Sequence, residues 1–214
     1  MPCIGWNNLS KKILKMGMDE AGRGSLIGPM IVAGVILNES SEQALREAGV
    51  TDSKKLKRSA REKLFEKIES MADWYGTVAV MPEEIDRENL NKLTMEAFRK
   101  LACMALSDGF IPNMVIADAV GRDNRTINAC IQLKIFMEKK ADSKYTVVGA
   151  ASIIAKVTRD REIEKIREQY GLVGSGYPGD RHTIDWLMKN SNALPPSVIR
   201  HKWKSRSNPY YSKS

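Results

Sequence analysis

Two adjacent carboxylates lie at the end of an apolar stretch near the start of the chain. Asp19 and Glu20 are followed, after one alanine, by Gly22, Arg23 and Gly24, a glycine-rich bend that carries one cation. Carboxylate oxygens are the ligands that Mg²⁺ and Mn²⁺ prefer. Glycine, which lacks a side chain, lets a nucleic-acid backbone approach closely, and its N–H and C=O groups can contact a ribose 2′-hydroxyl. The pattern predicts a place where a metal ion and a phosphate are held together.

Two further aspartates occupy comparable settings. Asp118 ends the apolar run 114–117, and Asp142 comes just before the apolar segment 145–148. A carboxylate that leaves a buried strand is costly unless it is paired or bound to metal. A two-metal site for phosphoryl transfer needs Asp and Glu residues from separate segments of the chain. Together with Asp19 and Glu20, these residues meet that need if the strands before Asp19 and Asp118 are neighbours and the Asp142 segment folds back beside them.

The same residues allow plainer interpretations. The chain has 26 acidic residues, so four of them can also be solvated surface charges. Successive strand residues face opposite sides of a sheet, so Asp19 and Glu20 converge only if the strand bends or one of them ligates through its carbonyl. Gly22 and Gly24 are equally typical of a simple hairpin turn.

Hydrophobic periodicity predicts an α/β arrangement that would position these carboxylates. The predicted strands cover residues 13–19, 28–37, 74–81 and 115–118, and the first two form a hairpin. The predicted helices cover residues 59–72, 89–106, 150–170 and 182–189. Ser59 and Glu62 form a capping-box pattern at the start of the first helix, and Gly171 is a glycine stop for the third. Residues 125–138 give no clear prediction.

Composition favours a polyanionic partner. The chain has 214 residues, enough for one sizeable core, and a net charge of +8 with a pI near 9.4. Positive charge of this size favours nucleic acid through phosphate neutralisation and counterion release. A basic surface that serves solubility alone is the alternative. The basic loop at Lys54 and Lys55 and the basic tail around Trp203 suit a phosphate backbone, although solvated charge runs are as common.

Other features limit the class of protein. The longest strongly apolar run, residues 30–37, is far shorter than the roughly 18 to 20 residues that a membrane helix needs. No secretory signal pattern is present, so a cytoplasmic location is expected. Cys3, Cys103 and Cys130 are odd in number and unpaired in spacing, which predicts reduced thiols and neither a disulfide framework nor a zinc site.

Several segments, in this order and spacing, resemble type 2 ribonuclease H, the ribonuclease HII family, in its archaeal form. The resemblance covers about residues 17 to 190. Its motifs are Asp19–Gly24, Asp52–Leu56, Lys140–Asp142, Ala150–Asp160 and Gly174–Pro178. The chain departs from the family's pattern at Ser25, where proline is more frequent, and at Gly149, where serine is usual. Neither position is expected to touch a proposed ligand, so these departures bear on local loop geometry more than on activity.

The resemblance implies a ribonuclease H-like α/β fold, a mixed β-sheet flanked by helices, with a small C-terminal helical segment that closes over the substrate. It implies hydrolysis of the RNA strand of RNA–DNA hybrids and incision 5′ to ribonucleotides embedded in duplex DNA, leaving 3′-hydroxyl and 5′-phosphate ends. Two Mg²⁺ or Mn²⁺ ions are expected with substrate bound. By the same resemblance, Asp19, Glu20, Asp118 and Asp142 are the catalytic metal-binding carboxylates. Gly22, Arg23 and Gly24 would recognise the junction where ribonucleotide meets deoxyribonucleotide, Tyr177 would stack on the sugar beyond it, and Lys54, Lys55 and Lys156 would bind phosphates.

The expected organisation is a flexible N-terminal arm over residues 1–12, a catalytic domain over 13–171 and a C-terminal helical segment with a basic tail over 172–214. We expect a monomer, with no membrane partner. A sliding clamp is a further conceivable partner, although the tail holds no clear clamp-binding motif.

Two rival functions are open from the sequence. A junction-resolving or exonucleolytic DNase of the same fold would share the carboxylates but would not require a 2′-hydroxyl. A non-catalytic nucleic-acid-binding module would bind hybrids with strong salt dependence and cut nothing.

Overall fold

A mixed β-sheet forms the centre of the protein. We describe a computed structural model over residues 12–50, 56–120, 133–172, 174–190 and 193–202, together with the backbone of 127–128. In this part of the chain six strands are arranged in the order β3-β2-β1-β4-β6-β5. Their bounds are β1 Leu14–Ala21, β2 Met30–Asn38, β3 Trp74–Val80, β4 Met114–Asp118, β5 Ile127–Asn128 and β6 Lys134–Glu138.

The register of the sheet brings the ends of β1 and β4 together. β1 and β2 form an antiparallel hairpin, whereas β4 lies parallel to β1, with Met18 opposite Ala117. Parallel strands end at the same edge of a sheet. The residues that follow this pair, Asp19 and Asp118, therefore lie side by side at that edge.

Seven helices are described around the sheet. Their bounds are α1 Glu39–Glu47, α2 Arg58–Met71, α3 Pro82–Arg87, α4 Leu90–Ser107, α5 Ala141–Lys144, α6 Thr146–Tyr170 and α7 Arg181–Asn190. α4 covers one face and packs on Met16, Met18 and Val32, while α6 covers the other face and packs on Ala33 and Val35. α6 lies so close to β1 that a Cβ on Gly17 would be 2.3 Å from the carbonyl of Val147.

A third apolar cluster joins the C-terminal segment to the hairpin loop. Leu26 and Ile27, which follow the glycine bend, pack with Ile163 of α6 and with Trp186 and Leu187 of α7. The segment also pairs Ile199 with Ile27 in an isolated β-bridge. The loop between β1 and β2 is therefore packed between the core and the C-terminal helix.

The α/β fold class and the main elements predicted from the sequence are confirmed, with several differences. α1 was not predicted. α6 begins at Thr146 and not at the predicted residue 150, and its first turns are entirely buried. The capping box proposed at Ser59 is wrong, since α2 has Lys57 at its N-cap without a side-chain cap. Gly171 does end α6, with a φ of 65°.

The structure also bears on the cysteines and on membrane-spanning helices. Cys103 on α4 is disulfide-bonded, so the prediction of a reduced thiol is wrong for this residue. Within the described residues, no helix is long and apolar enough to span a membrane.

Candidate active site

Asp19 and Asp118 form the centre of the site. They follow the paired residues Met18 and Ala117 on neighbouring parallel strands. The Asp118 carboxylate also accepts a hydrogen bond of 2.9 Å from the backbone N–H of Ala141, the first residue of α5. This bond fixes α5 against β4 and brings the next residue, Asp142, beside the two strand ends. The strands before Asp19 and Asp118 are thus neighbours, and the Asp142 segment lies beside them, which were the two conditions for a shared site.

The carboxylates differ in their surroundings. Asp19 and Asp142 are buried, with 6% and 3% of their surface exposed. Asp19 faces α6, whereas Glu20, next along β1, faces the side covered by α4, as strand alternation requires. The Glu20 carboxylate lies 3.7 Å from the Arg23 guanidinium, and its Oε2 is buried without a hydrogen-bond partner.

Burial and mutual repulsion raise the proton affinity of the β1 pair. Desolvation is the largest cause that raises the pKa of Asp19 to about 7, and the nearby charges of Asp118 and Asp142 add to it. The Ser152 hydroxyl of α6 lies close enough to lower this pKa in part, although it is outside hydrogen-bond geometry. Desolvation, followed by the charge of Asp19, raises the pKa of Glu20 to about 8. A bound cation would favour the ionised forms of both carboxyls.

These donors fit a hard divalent cation that keeps other oxygen ligands. Among the described residues, no three acidic, imidazole or thiol side chains converge closely enough to hold one ion by themselves. Mg²⁺ characteristically binds through one or two carboxylates and completes its shell with waters and substrate phosphates. Asp19 is buried on the α6 face of β1, and the Glu20 Oε2 is buried without a hydrogen-bond partner on the other face. The two side chains do not converge through a bend in the strand, so Glu20 would join Asp19 at one ion through its carbonyl, as the sequence analysis allowed.

The glycine bend has one closed and one open position. Gly22 has a φ of 86°, and a Cβ there would lie 2.3 Å from Nε of Arg159 and 2.9 Å from the carbonyl of Pro29. Around Gly24, in contrast, nothing lies within 4 Å of a built Cβ. Gly22 is therefore needed for packing and conformation, while the backbone of Gly24 borders open space.

Arg23 does not extend freely into solvent. Its guanidinium donates a 3.0 Å hydrogen bond to Oγ1 of Thr94 and another to Oδ1 of Asn91, both at the start of α4. With Glu20 also nearby, the side chain fixes the bend to α4. Its backbone carbonyl accepts a 3.0 Å bond from Arg200.

Tyr177 lies on a loop that contacts the bend. The preceding residue, Gly176, accepts a hydrogen bond of 2.8 Å from the N–H of Leu26. The residue is 37% exposed, and one face of its ring is covered by the guanidinium of Arg159, whose Cζ lies 4.6 Å from the ring centroid. An exposed ring fixed beside the bend suits stacking on a sugar.

The remaining predicted substrate residues are less informative. Lys156 is half-buried on α6, one turn beyond Ser152. Lys54 and Lys55 lie outside the described residues. The expectation that Gly149 does not touch a proposed ligand is wrong, because a Cβ there would be 2.9 Å from the carbonyl of Asp142.

Three buried residues around the bend were not predicted to be site residues, although Ser25 was noted as a departure from the family pattern. Ser25, Arg159 and Arg200 are 0%, 3% and 0% exposed. Arg200 donates a 2.9 Å bond to the carbonyl of Gly28. Their partners lie far away along the chain, so local patterns carried no signal, although the two arginines belonged to segments already noted as basic or as part of a motif.

Comparison with known proteins agrees with this geometry. The model of the family described as ribonuclease HII matches residues 16–206. The ribonuclease HII of Saccharolobus solfataricus is 45% identical over 195 residues, covering 89% of this chain and 91% of that relative. The crystal structure of the ribonuclease H2 from Pyrococcus horikoshii OT3 superposes with a TM-score of 0.81 at 36% identity. The match covers 94% of this chain and 100% of that chain. The ribonuclease HII in a PCNA complex from Archaeoglobus fulgidus superposes with a TM-score of 0.77 at 37% identity, covering 91% and 96% of the two chains.

The fold and these comparisons together indicate a metal-dependent nuclease with a ribonuclease H-like fold. The family match and the relatives extend over most of the chain and most of each relative. This chain belongs to the ribonuclease HII family, which cleaves the RNA of RNA–DNA hybrids and ribonucleotides within DNA. The family resemblance stated from the sequence motifs is confirmed.

Proposed function

We propose that Asp19, Glu20, Asp118 and Asp142 are the catalytic carboxylates of this ribonuclease and that they hold two divalent cations, Mg²⁺ or Mn²⁺, when substrate is bound. The observation that carries the proposal is the adjacency of Asp19 and Asp118 on parallel strands, with Asp142 brought beside them by the Ala141 hydrogen bond. When bound, such cations lower the pKa of a water and stabilise the charge on a leaving oxygen. The products would be a 3′-hydroxyl and a 5′-phosphate.

The residues around the carboxylates orient them for this role. The Ala141 N–H fixes one carboxylate oxygen of Asp118, and the N–H of Glu20 donates a 2.8 Å bond to Oδ1 of Asp19. Each aspartate thereby keeps its other oxygen for a ligand. Preorganised donors of this kind need no rearrangement during the reaction.

Substrate selection is assigned to the bend and the neighbouring tyrosine. Gly24 offers open backbone to the ribose 2′-hydroxyl, and Tyr177 offers an exposed ring for the sugar beyond the junction. Arg23 supports this role indirectly, because its side chain fixes the bend to α4. Lys156 and the basic loop at Lys54 and Lys55 would bind backbone phosphates.

A sliding clamp is a second proposed partner beside the nucleic acid. The Archaeoglobus fulgidus relative has been solved in complex with PCNA, which supports a direct test of clamp binding with this chain. A pull-down with an archaeal clamp, using the full chain and a variant that ends after residue 202, would detect any contribution of the tail.

The experiment that tests the catalytic proposal compares three labelled duplexes: one with a single ribonucleotide, one RNA–DNA hybrid and one all-DNA control. Asp118→Asn is expected to lose cleavage by a factor of at least about 10³, since a preorganised electrostatic contact is removed from the site. Asp185→Asn, at a carboxylate with 57% exposure on α7, is the matched control and should cleave normally. Cleavage by Asp118→Asn at the wild-type rate would refute the assignment, and cutting of the all-DNA duplex would refute the role of the 2′-hydroxyl.

A further inference from the structure

Arg159 is a buried cation that the proposed mechanism does not use. It lies on α6 with 3% of its surface exposed. Among the residues that the structure describes, no carboxylate forms an ion pair with it, and its Nε is buried without a hydrogen-bond partner. Desolvation lowers the pKa of the guanidinium. A buried charge without an ion-pair partner is costly to folding, which makes a role other than stability worth seeking for this residue.

The contacts of Arg159 connect the Gly22–Gly24 bend with Tyr177, the two elements proposed to recognise the junction. On one side, Nη2 donates a 2.7 Å hydrogen bond to Oγ of Ser25. The same side chain fills the space beside Gly22, where a Cβ would lie 2.3 Å from Nε. On the other side, the guanidinium lies 4.6 Å from the ring centroid of Tyr177.

Ser25 and Gly176 join the bend to the loop that carries Tyr177. The Ser25 hydroxyl lies 3.0 Å from the carbonyl of Gly176, and the same carbonyl accepts the N–H of Leu26. The bend and the Tyr177 loop are thus joined by hydrogen bonds to one carbonyl, whereas the Tyr177 ring itself contacts the Arg159 guanidinium. A cation over the ring face holds an aromatic ring through its quadrupole.

Arg159 is separate from the reacting centre. It lies seven residues beyond Ser152, the α6 residue that faces Asp19, which corresponds to about 10 Å along the helix. A change at Arg159 is therefore expected to alter substrate selection more than the carboxylates.

We propose that Arg159 is a positioning residue that sets the Tyr177 ring relative to the Gly22–Gly24 bend, and thereby determines how efficiently the enzyme acts at a single ribonucleotide in DNA. This inference rests on the proposed function, in which the bend and Tyr177 recognise the junction. A long RNA–DNA hybrid offers many registers and is less sensitive to the position of the ring. A single ribonucleotide offers one register only.

The test uses Arg159→Met and a control that matches it in residue type, helix and contact. Arg161 also lies on α6, and its guanidinium lies 4.3 Å from the ring centroid of Phe65, but its contacts are with α2 and not with the bend. KM and kcat are measured on the single-ribonucleotide duplex and on a long hybrid. For Arg159→Met we expect kcat/KM to fall at least tenfold on the single ribonucleotide, mainly through KM, and less than threefold on the hybrid. For Arg161→Met both substrates should stay within twofold of wild type.

A double-mutant comparison separates positioning from a general loss of structure. If Arg159 acts through Tyr177, Arg159→Met should add little to the loss in Tyr177→Ala, whereas independent effects would multiply. If Arg159→Met does not fold, Arg159→Lys provides the same test, because its point charge cannot reproduce the flat contact with the ring together with the bond to Ser25. Equal losses on both substrates, or multiplicative losses with Tyr177→Ala, would overturn the inference.

The same data distinguish failure of the inference from failure of the proposed function. If Tyr177→Ala leaves the preference between the two substrates unchanged, the proposed role of Tyr177 is wrong, and the inference is wrong with it. If Tyr177→Ala changes the preference and Arg159→Met does not, the inference alone is wrong.

Discussion

Replacement of Asp19 by asparagine is expected to stabilise the metal-free protein while it abolishes cleavage. The Asp19 carboxyl has a pKa of about 7 in the folded protein, against an ordinary value of 3.8. The folded state therefore binds this proton more tightly than the unfolded state. The stabilising contribution is present below the ordinary value and is lost as the pH rises through about 7.

The magnitude follows from the size of this difference. One pKa unit corresponds to about 1.4 kcal/mol, so full ionisation of Asp19 costs the folded protein about 4 kcal/mol. Part of the cost is repulsion from the neighbouring carboxylates, and the proton that Glu20 binds relieves some of it. We therefore expect Asp19→Asn to gain about 2 kcal/mol at pH 8. For a domain of this size, that gain raises the midpoint of thermal unfolding by about 4 to 8 °C.

The assay is thermal unfolding followed by circular dichroism, with chelator present, at pH 8 and pH 5. The gain should shrink by more than half at pH 5, where Asp19 of the folded wild type is protonated. Asp185→Asn, at an exposed carboxylate, should change stability by less than about 0.5 kcal/mol at either pH. A variant Asp19→Asn that is less stable than wild type at pH 8 would refute the reasoning, because it would mean that the ionised carboxylate is favourably paired.

Three further predictions follow from the same contacts. Addition of Mg²⁺ should raise the unfolding midpoint of wild type more than that of Asp19→Asn, because the cation favours the ionised site; equal shifts would argue against a metal ion at Asp19. Gly22→Ala should be less stable than Gly49→Ala by roughly 1 to 3 kcal/mol in denaturant titrations, since both have positive φ but only Gly22 faces close atoms; equal losses would show that the contact with Arg159 does not matter. Gly149→Ala should reduce kcat, because its Cβ would approach the Asp142 carbonyl to 2.9 Å; unchanged kcat with a folded protein would show that Asp142 does not depend on this packing.

The position of Asp19 and Asp118 at strand ends was predictable because each residue lies beside a strong local signal. Asp118 ends a buried strand, and Asp19 with Glu20 comes directly before a glycine bend. Hydrophobic periodicity indicated the strands but not their order in the sheet, so the adjacency of β1 and β4 was a condition that only the structure could meet.

Other features depended on contacts that no local pattern encodes. Ser25 and Arg159 are 134 residues apart, and only the folded chain joins them. α1 was missed because its sequence is mostly polar and buries only Ser41, Glu42 and Leu45. The start of α6 was placed too late because Thr146 and the next residues are buried on every side and show no helical alternation.

The most direct test of the central claim is a crystal structure with Mn²⁺ and a duplex that contains one ribonucleotide, recorded at a wavelength where manganese scatters anomalously. The account predicts two anomalous peaks at the edge of the sheet, liganded by Asp19, Glu20, Asp118 and Asp142, with the ribose 2′-hydroxyl beside the Gly22–Gly24 bend. Peaks away from these carboxylates in a crystal whose protein cleaves the duplex would contradict it.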